Sequence, residues 1–293
     1  MDDKRLTIFT PTYNRAHTLP ALYQSLCEQD SHDFCWLVID DGSSDNTREL
    51  MRKWEEESKI DMTYVYQENS GKTRAHNRAV MLCQTPLFVC VDSDDHLASP
   101  TAVSDSLDYW DSHAELSGRD DVSGMVSYKR LINGTNAEFP KGMELSTLAG
   151  IYAAGFKGEA NLMLKTEVLR HYLFPEIEGE KFVTEDFVHN QLDQSYQLLV
   201  FPYDFQLCEY RADGFTWNAW DVLFKNPKGY RMYYNQLVEL GKGSRRYNMQ
   251  MYIACSLLAG DGKTFSECSS KCLMLLLFPL GLRQYYKLRR RKW

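Results

Sequence analysis

Residues 87–95 read LFVCVDSDD, and this stretch decides the fold class of the chain. The apolar run Leu87–Val91 predicts a buried strand, and Asp92-Ser93-Asp94-Asp95 follows it directly. Three carboxylates within four residues repel one another unless a cation neutralises them. Oxygen ligands suit Mg²⁺ or Mn²⁺, and one or two carboxylates together with substrate phosphates commonly hold Mg²⁺. The stretch therefore predicts a divalent metal site at a strand end, with a solvated acidic turn as the alternative.

The residues before this stretch alternate short apolar runs with amphipathic ones. The predicted strands are Leu6–Thr10, Phe34–Ile39 and Met62–Tyr66, and the predicted helices are Thr18–Gln29, Thr47–Glu57 and Thr73–Gln84. Such alternation is typical of an α/β fold with a mostly parallel sheet flanked by helices. Polar clusters follow two of these strands, Pro11-Thr12-Tyr13-Asn14 and Asp40-Asp41-Gly42-Ser43. The clusters are expected at the carboxyl edge of the sheet, where open α/β sheets bind ligands.

The pattern loosens after residue 100. Strands are predicted at 121–130, 160–165, 196–201 and 205–210, a helix at 184–193, and helices from about Gly229 onward with breaks at 241–244, 260–262 and 279–281. The predicted organisation is one α/β domain over residues 1–215. A helical C-terminal region covers residues 216–293.

Composition and charge exclude several classes of protein. Hydrophobic residues make up 44% of the 293 residues and charged residues 25%, which excludes a disordered or collagen-like chain. The net charge is −7, from 33 basic and 40 acidic residues, which argues against nucleic acid as a partner. Residues 283–293 hold six of the basic residues and no acidic one, so the remaining 27 basic and 40 acidic residues give −13.

This basic tail follows an apolar run, CLMLLLFPLGL at 272–282. The run is shorter than the roughly 20 residues of a spanning helix. Cations interleaved with aromatic residues suit an anionic membrane surface, so residues 272–293 predict peripheral contact with such a surface. The alternative is a C-terminal helix that packs its Leu/Met face on the domain. The charged N-terminus predicts no signal peptide, and eight cysteines without a CxxC pair favour the cytoplasm.

Taken in order, the polar motifs resemble those of the family 2 glycosyltransferases, which have the GT-A fold. The matching residues are Pro11-Thr12-Tyr13-Asn14-Arg15, Val38–Asp45, Asn69-Ser70-Gly71-Lys72 with Asn77, and Val91–Asp95. The resemblance is strong over about residues 5–100 and reaches weakly to 215. The absence of GxGxxG and GxxxxGK[ST] motifs disfavours a dinucleotide-dependent dehydrogenase and a P-loop kinase.

The resemblance implies that residues 1–100 form a nucleotide-binding half and residues 101–215 an acceptor half, and it implies a role for each motif. Pro11, Tyr13 and Asp41 would hold the nucleoside, with Asp41 reading the base. Asp92 would lie near the ribose and Lys72 near the diphosphate. Asp94 would ligate Mn²⁺ or Mg²⁺, with Asp95 as a second candidate ligand.

The resemblance also implies a catalytic base in an acidic pair farther along the chain. Asp186 of Thr184-Glu185-Asp186-Phe187 would take the proton of the acceptor hydroxyl. The alternative is that Glu185 and Asp186 only complement a helix dipole. Competing carboxylates are Glu159, Glu178 and Glu180. Glu185, Glu209 and Trp217 are weaker candidates for the acceptor side.

The expected reaction is therefore metal-dependent, inverting transfer of one sugar from a nucleotide-diphosphate donor, a UDP-sugar by default. The acceptor would be a glycan or a polyprenyl-linked precursor of capsule or another cell-surface polysaccharide. The resemblance also implies a place in the bacterial cytoplasm, peripheral on the inner face of the cytoplasmic membrane. A sugar-phosphate nucleotidyltransferase and a non-catalytic partner of another transferase are the alternatives. The first would normally have a Gly-rich basic loop where this chain has PTYNRAHT, and the intact DSDD disfavours the second.

Overall fold

Within the residues that the structure describes, nine strands form one mixed sheet. The structure is a computed structural model that describes residues 4–209 and 219–291. The strands are β1 Leu6–Thr12, β2 Phe34–Asp40, β3 Met62–Tyr66, β4 Leu87–Cys90, β5 His96–Leu97, β6 Val122–Leu131, β7 Leu145–Ser146, β8 Glu159–Lys165 and β9 Gln197–Cys208. The predicted α/β class is confirmed.

The strand order places the ends of β1, β2, β4 and β6 along one edge of the sheet. The order is β3-β2-β1-β4-β8-β6-β9-β5, and β7 pairs with β9. Strands β1 to β4 pair in parallel, whereas β8 is antiparallel to both β4 and β6. Strand β6 therefore runs in the same direction as β4. Its carboxyl end lies at the edge where the polar motifs follow β1, β2 and β4.

Helices connect the strands, and four more helices follow the last strand along the described part of the chain. They are α1 Leu19–Cys27, α2 Thr47–Glu57, α3 Lys72–Leu82, α4 Ala102–Ser112, α5 Ala114–Ser117, α6 Leu148–Ala153, α7 Thr166–Leu169, α8 Asp186–Leu192, α9 Ala219–Lys225, α10 Pro227–Glu239, α11 Arg245–Ala259 and α12 Lys271–Arg291. Tyr23 of α1 stacks on Trp54 of α2 at 4.1 Å, and Trp36 of β2 lies fully buried beside them. These aromatic rings fix the first two helices against the sheet.

Two predictions of local structure were wrong. Residues 197–208 form one strand instead of two, because register shifts against β6 absorb the irregular stretch around Pro202. Helix α12 passes through Pro279 without the predicted break. A proline removes one helical hydrogen bond, and here the packing of α12 on α11 outweighs that loss. Gly281 permits this packing, since a Cβ there would lie 2.5 Å from Cβ of Ile253.

The chain divides into two units. The first comprises Met1–Leu173 and His189–Tyr210, and the second comprises Phe174–Val188 and Arg211–Trp293. The segment 174–188, which the sequence analysis places in the first region, thus contributes to the second unit. Glu180 links it to α10 by accepting the backbone N–H groups of Lys228 and Gly229, each at 2.8 Å.

Candidate active site

The turn after β1 is bonded to the loop after β2 through Asn14. Its Oδ1 accepts the N–H groups of Ser44 at 2.8 Å and Asp45 at 3.2 Å, and its own N–H donates to Oγ of Ser43 at 2.8 Å. Asn14 has a φ of 54°, a left-handed conformation that asparagine tolerates better than most residues. The turn leaves Tyr13 50% exposed at the edge of the sheet. Its ring is therefore accessible to a flat ligand such as a nucleobase.

Asp41 holds the loop that precedes α3. Its side chain is 5% exposed. Oδ1 accepts the N–H of Ser70 and the amide of Gln67, and Oδ2 accepts the N–H of Gly71, all at 2.8 Å. These contacts give Asp41 a loop-organising role. The reading of a base by Asp41 stays a prediction from the resemblance.

Glycine is required where these two loops approach each other. Gly42 has a φ of +88°, and a Cβ there would lie 2.8 Å from the backbone nitrogen of Asn69. No larger side chain fits such a distance without a shift of the backbone. The loop before α3 is thus fixed closely against the end of β2, and Lys72 begins α3 immediately afterward.

Two lysines pair with two of the three carboxylates in the acidic turn after β4. The N–H of Asp95 donates to the carbonyl of Asp92 at 3.0 Å, which closes the turn. Nζ of Lys72 lies 2.7 Å from Oδ1 of Asp92. Nζ of Lys129, on β6, lies 2.6 Å from Oδ2 of Asp95 and 3.5 Å from Oδ2 of Asp92. Lys72 and Lys129 thus both lie at this turn, and the contact of Lys72 with a diphosphate stays a prediction.

Burial and these ion pairs have opposite effects on the pKa values of the charged groups at the turn. Burial disfavours the charge on Asp92, but Lys72 and Lys129 outweigh it and hold the pKa of Asp92 well below its usual range. Burial raises the pKa of Asp95 to about 6, with Lys129 opposing the rise and Asp92 adding to it. Burial lowers the pKa of Lys129, but Asp92 and Asp95 more than offset it and leave it above the usual value. Lys129 is therefore a cation at neutral pH.

A second layer of polar side chains supports Asp95. Nε2 of Gln206 donates to Oδ2 of Asp95 at 2.5 Å, and Nδ2 of Asn161 donates to Oε1 of Gln206 at 2.6 Å. Gln206 lies opposite Lys129 in the β6–β9 register. Both donors to Asp95 thus come from neighbouring strands of the sheet, which gives them fixed positions.

Asp94 differs from its two neighbours. Among the residues that the structure describes, it has no hydrogen-bond or ion-pair partner, and its side chain is only partly buried. Over the same residues, no three histidine, cysteine or carboxylate side chains group closely enough to hold a metal by themselves. A free carboxylate of this kind fits a hard divalent cation that takes its remaining oxygen ligands from substrate phosphates and water.

The candidate base lies at the start of α8. Asp186 is exposed, and Oδ2 accepts a hydrogen bond of 3.3 Å from the hydroxyl of Tyr233 on α10. Glu185 beside it is also exposed. Of the competing carboxylates, Glu180 is 6% exposed and holds the N-terminus of α10, whereas Glu159 and Glu178 are exposed. An exposed carboxylate with a hydroxyl partner can accept a proton, and the role of Asp186 as the base stays a prediction.

Three further residues were predicted to belong to the site, namely Pro11, Glu209 and Trp217. Pro11 is partly buried within β1, opposite Ile39 of β2. Glu209 is exposed just after β9. Trp217 lies outside the residues that the structure describes.

The sequence analysis missed Lys129. Its signal was a cation after seven buried residues, Val122–Tyr128, near the carboxyl end of a strand. That signal identifies a strand end but no partner. The pairing of Lys129 with Asp92 and Asp95 follows only from the sheet order. That order places β6 between β8 and β9, with its carboxyl end beside the acidic turn.

Known proteins share parts of this sequence. The teichoic acid poly(glycerol phosphate) polymerase of Staphylococcus epidermidis is 32% identical over 96 residues, which cover 32% of this chain and 13% of that protein. The Escherichia coli UDP-Glc:alpha-D-GlcNAc-diphosphoundecaprenol beta-1,3-glucosyltransferase WfgD is 34% identical over 95 residues, 32% of this chain and 37% of that protein. The chain thus spans well under two thirds of the length of these relatives.

Solved structures share the fold more widely. Staphylococcus aureus TarS 1-349, in complex with UDP-GlcNAc, matches with a TM-score of 0.60 and 18% identity over 89% of this chain and 74% of that chain. The expected GT-A fold is confirmed. Residues 7–172 match the family described as Glycosyl transferase family 2. Because this match covers more than half of the 293 residues, the chain belongs to glycosyl transferase family 2.

Proposed function

We propose that the chain transfers one sugar from a nucleoside diphosphate donor to a glycan or lipid-linked acceptor in the synthesis of a bacterial cell-surface polysaccharide. The observation that carries the proposal is the cluster of Lys72, Asp92 and Asp94 at the carboxyl edge of the parallel strands. A free carboxylate beside a lysine suits a donor with a diphosphate. Family membership and the names of the relatives support the same class of reaction.

The donor would lie along the edge formed by the first three polar motifs. Tyr13 offers an exposed ring to the base, Pro11 borders it, and Asp41 holds the adjoining loop. Asp92 would meet the ribose and Lys72 the diphosphate. UDP is the first nucleotide to test, since the TarS structure contains UDP-GlcNAc.

Asp94 would hold the divalent cation, Mn²⁺ or Mg²⁺. A metal there would stabilise the negative charge on the departing nucleoside diphosphate. Lys72 would contribute a second positive charge for the diphosphate from the start of α3.

Asp186 would act as the general base. The acceptor oxygen forms a bond to the anomeric carbon of the donor as the bond from that carbon to the diphosphate breaks. Asp186 takes the proton of the acceptor hydroxyl, and a single displacement inverts the anomeric configuration. Tyr233 would orient this carboxylate through its hydrogen bond of 3.3 Å.

A donor screen tests the enzyme class. The purified chain is incubated with UDP-, TDP- and GDP-sugars, with and without Mn²⁺, and release of the nucleoside diphosphate is measured. We expect metal-dependent release from one donor class. Release of pyrophosphate from a sugar phosphate and a nucleoside triphosphate, with no hydrolysis of any nucleotide sugar, would indicate a nucleotidyltransferase instead.

Variants test the assigned residues. We expect Asp94→Asn to weaken metal-dependent nucleotide binding and Asp186→Asn to abolish transfer while nucleotide binding persists. Glu115→Gln removes an exposed carboxylate on α5, outside the predicted site residues, and serves as the control. Near-normal turnover by Asp186→Asn would exclude this residue as the base.

We also propose that α12 contacts an anionic membrane surface. None of the helices in 4–209 and 219–291 has the length and apolarity needed to cross a bilayer. Helix α12 buries Met274, Leu277 and Leu288, yet Leu275 and Leu276 remain 61% and 76% exposed. Exposed basic residues follow the apolar segment on the same helix, namely Arg283, Lys287, Arg289 and Arg290. Exposed leucines beside several cations fit lipid headgroups of negative charge, at about 1 kcal/mol per basic residue.

Vesicle cosedimentation tests this contact. We expect binding to vesicles that contain phosphatidylglycerol, weaker binding at high salt, and little binding to pure phosphatidylcholine. Replacing Leu275 and Leu276 by asparagine should lower the partition coefficient at least about tenfold. Met81→Asn, which alters a residue 60% exposed on α3, is the control. Self-association through the leucines in light scattering, without vesicle binding, would contradict the proposal.

A further inference from the structure

We propose that Lys129 is a positioning residue that occupies the Asp92–Asp95 pair, so that the divalent cation binds through Asp94 and the donor's diphosphate. The consequence is that the metal binds tightly only together with the nucleotide. This inference rests on the proposed function. It concerns Lys129, for which the family resemblance implies no role.

The charges at the turn carry the inference. In the part of the chain that the structure describes, two ammonium groups, those of Lys72 and Lys129, face the three carboxylates of the turn. Lys129 lies 2.6 Å from Asp95 and 3.5 Å from Asp92, so it bridges the two carboxylates on either side of Asp94. The excess negative charge therefore falls on Asp94. One charge on one side chain holds a divalent cation weakly unless phosphates complete the site.

The position of Lys129 is fixed by the sheet. It lies opposite Gln206 of β9 and Glu159 of β8, and its side chain is only 21% exposed. Oδ2 of Asp95 accepts from both Lys129 and Gln206, and Asp95 is 4% exposed. An incoming metal would have to displace the partly buried ammonium group of Lys129 to reach this oxygen. Asp95 is therefore a partner of Lys129 and not a metal ligand.

Titration with Mn²⁺ alone tests this arrangement, with free Mn²⁺ measured by electron paramagnetic resonance. We expect weak binding by the unaltered chain. Lys129→Met removes the cation and frees Asp95 and Asp92, so its affinity for Mn²⁺ without nucleotide should rise at least about tenfold. Lys129→Arg keeps the charge and should keep the weak binding. Damage to the fold alone would not raise the affinity for a metal.

Two outcomes would overturn the inference. One is Lys129→Met binding Mn²⁺ no better than the unaltered chain, and the other is Lys129→Arg binding as tightly as Lys129→Met. If Lys129→Met does not fold, Asp95→Asn decides the matter in the presence of UDP. We expect it to retain Mn²⁺ affinity within about threefold, whereas Asp94→Asn should lose more than about tenfold. Equal losses in the two variants would make Asp95 a ligand and refute the assignment.

The same titrations separate this inference from the proposed function. If neither UDP nor another nucleoside diphosphate tightens Mn²⁺ binding by the unaltered chain, the proposed donor site loses its support. The comparison of Lys129→Met with Lys129→Arg uses the metal alone. Its result therefore stands whatever the nucleotide does.

Discussion

Replacement of Asp41 by asparagine distinguishes a loop-organising carboxylate from one that reads a base. Oδ1 accepts the N–H of Ser70 and Oδ2 that of Gly71, each at 2.8 Å, in a side chain that is 5% exposed. In asparagine one of these acceptors becomes an NH₂ group that faces an N–H donor. Hydrogen bonds to charged groups contribute about 1.5–3 kcal/mol each. We therefore expect the loop at 67–71 to lose about 2 kcal/mol of local stability.

Hydrogen exchange measures this loss directly. A local loss of about 2 kcal/mol corresponds to roughly 30-fold faster exchange of the amides that Asp41 protects, those of Ser70 and Gly71. Glu49→Gln, at an exposed position in the first turn of α2, is the matched control and should leave this exchange unchanged. Peptides from β2 should also keep their protection, because Asp41 follows the strand.

Nucleotide binding separates the two roles. If Asp41 acts through the loop, Asp41→Asn should weaken UDP, TDP and GDP binding by similar factors. A base-reading carboxylate would instead lose discrimination among the three nucleotides. Unchanged exchange at Ser70 and Gly71, together with an altered base preference, would refute the loop-organising role.

Two further predictions concern stability. Arg231 is 3% exposed, and its hydrogen bond lowers the pKa of Asp261 to about 2. The ionised Asp261 should therefore stabilise the fold above about pH 4. This contribution should be lost as the pH falls toward 2. Urea unfolding should show Asp261→Asn to be about 1–2 kcal/mol less stable at pH 7, with the difference vanishing near pH 2. Gly281→Ala should destabilise the chain by about 1–3 kcal/mol, although alanine is the better helix former, because its Cβ would meet Ile253. Increased stability of Gly281→Ala in urea would contradict the close packing of α11 and α12.

Local sequence signals predicted the first four strands and the loops that follow them. Apolar runs bounded by Pro11-Thr12 and by Asp40-Asp41 placed the ends of β1 and β2 within two residues of their positions. The signals were weaker after residue 100. Pro202 interrupts the alternation that defines a strand, and only the register shifts against β6 show that β9 is continuous. Pro279 likewise led to the prediction of a helix break, but α12 continues through it because the helix packs on α11.

The sequence by itself determined the α/β class, the family and the identity of the acidic turn, because strand periodicity and motif order are properties of neighbouring residues. Only the tertiary structure decided which carboxylates of that turn are already neutralised. Lys129 is 34 residues beyond Asp95 in the chain. The two side chains meet because β8 lies between β4 and β6 and is antiparallel to both, so that β4 and β6 run in the same direction. The electrostatic interaction between two charged groups depends on their distance in the folded structure, which their separation along the chain does not give. Within residues 4–209 and 219–291, the turn therefore consists of two carboxylates paired with lysines and a third, Asp94, without a partner.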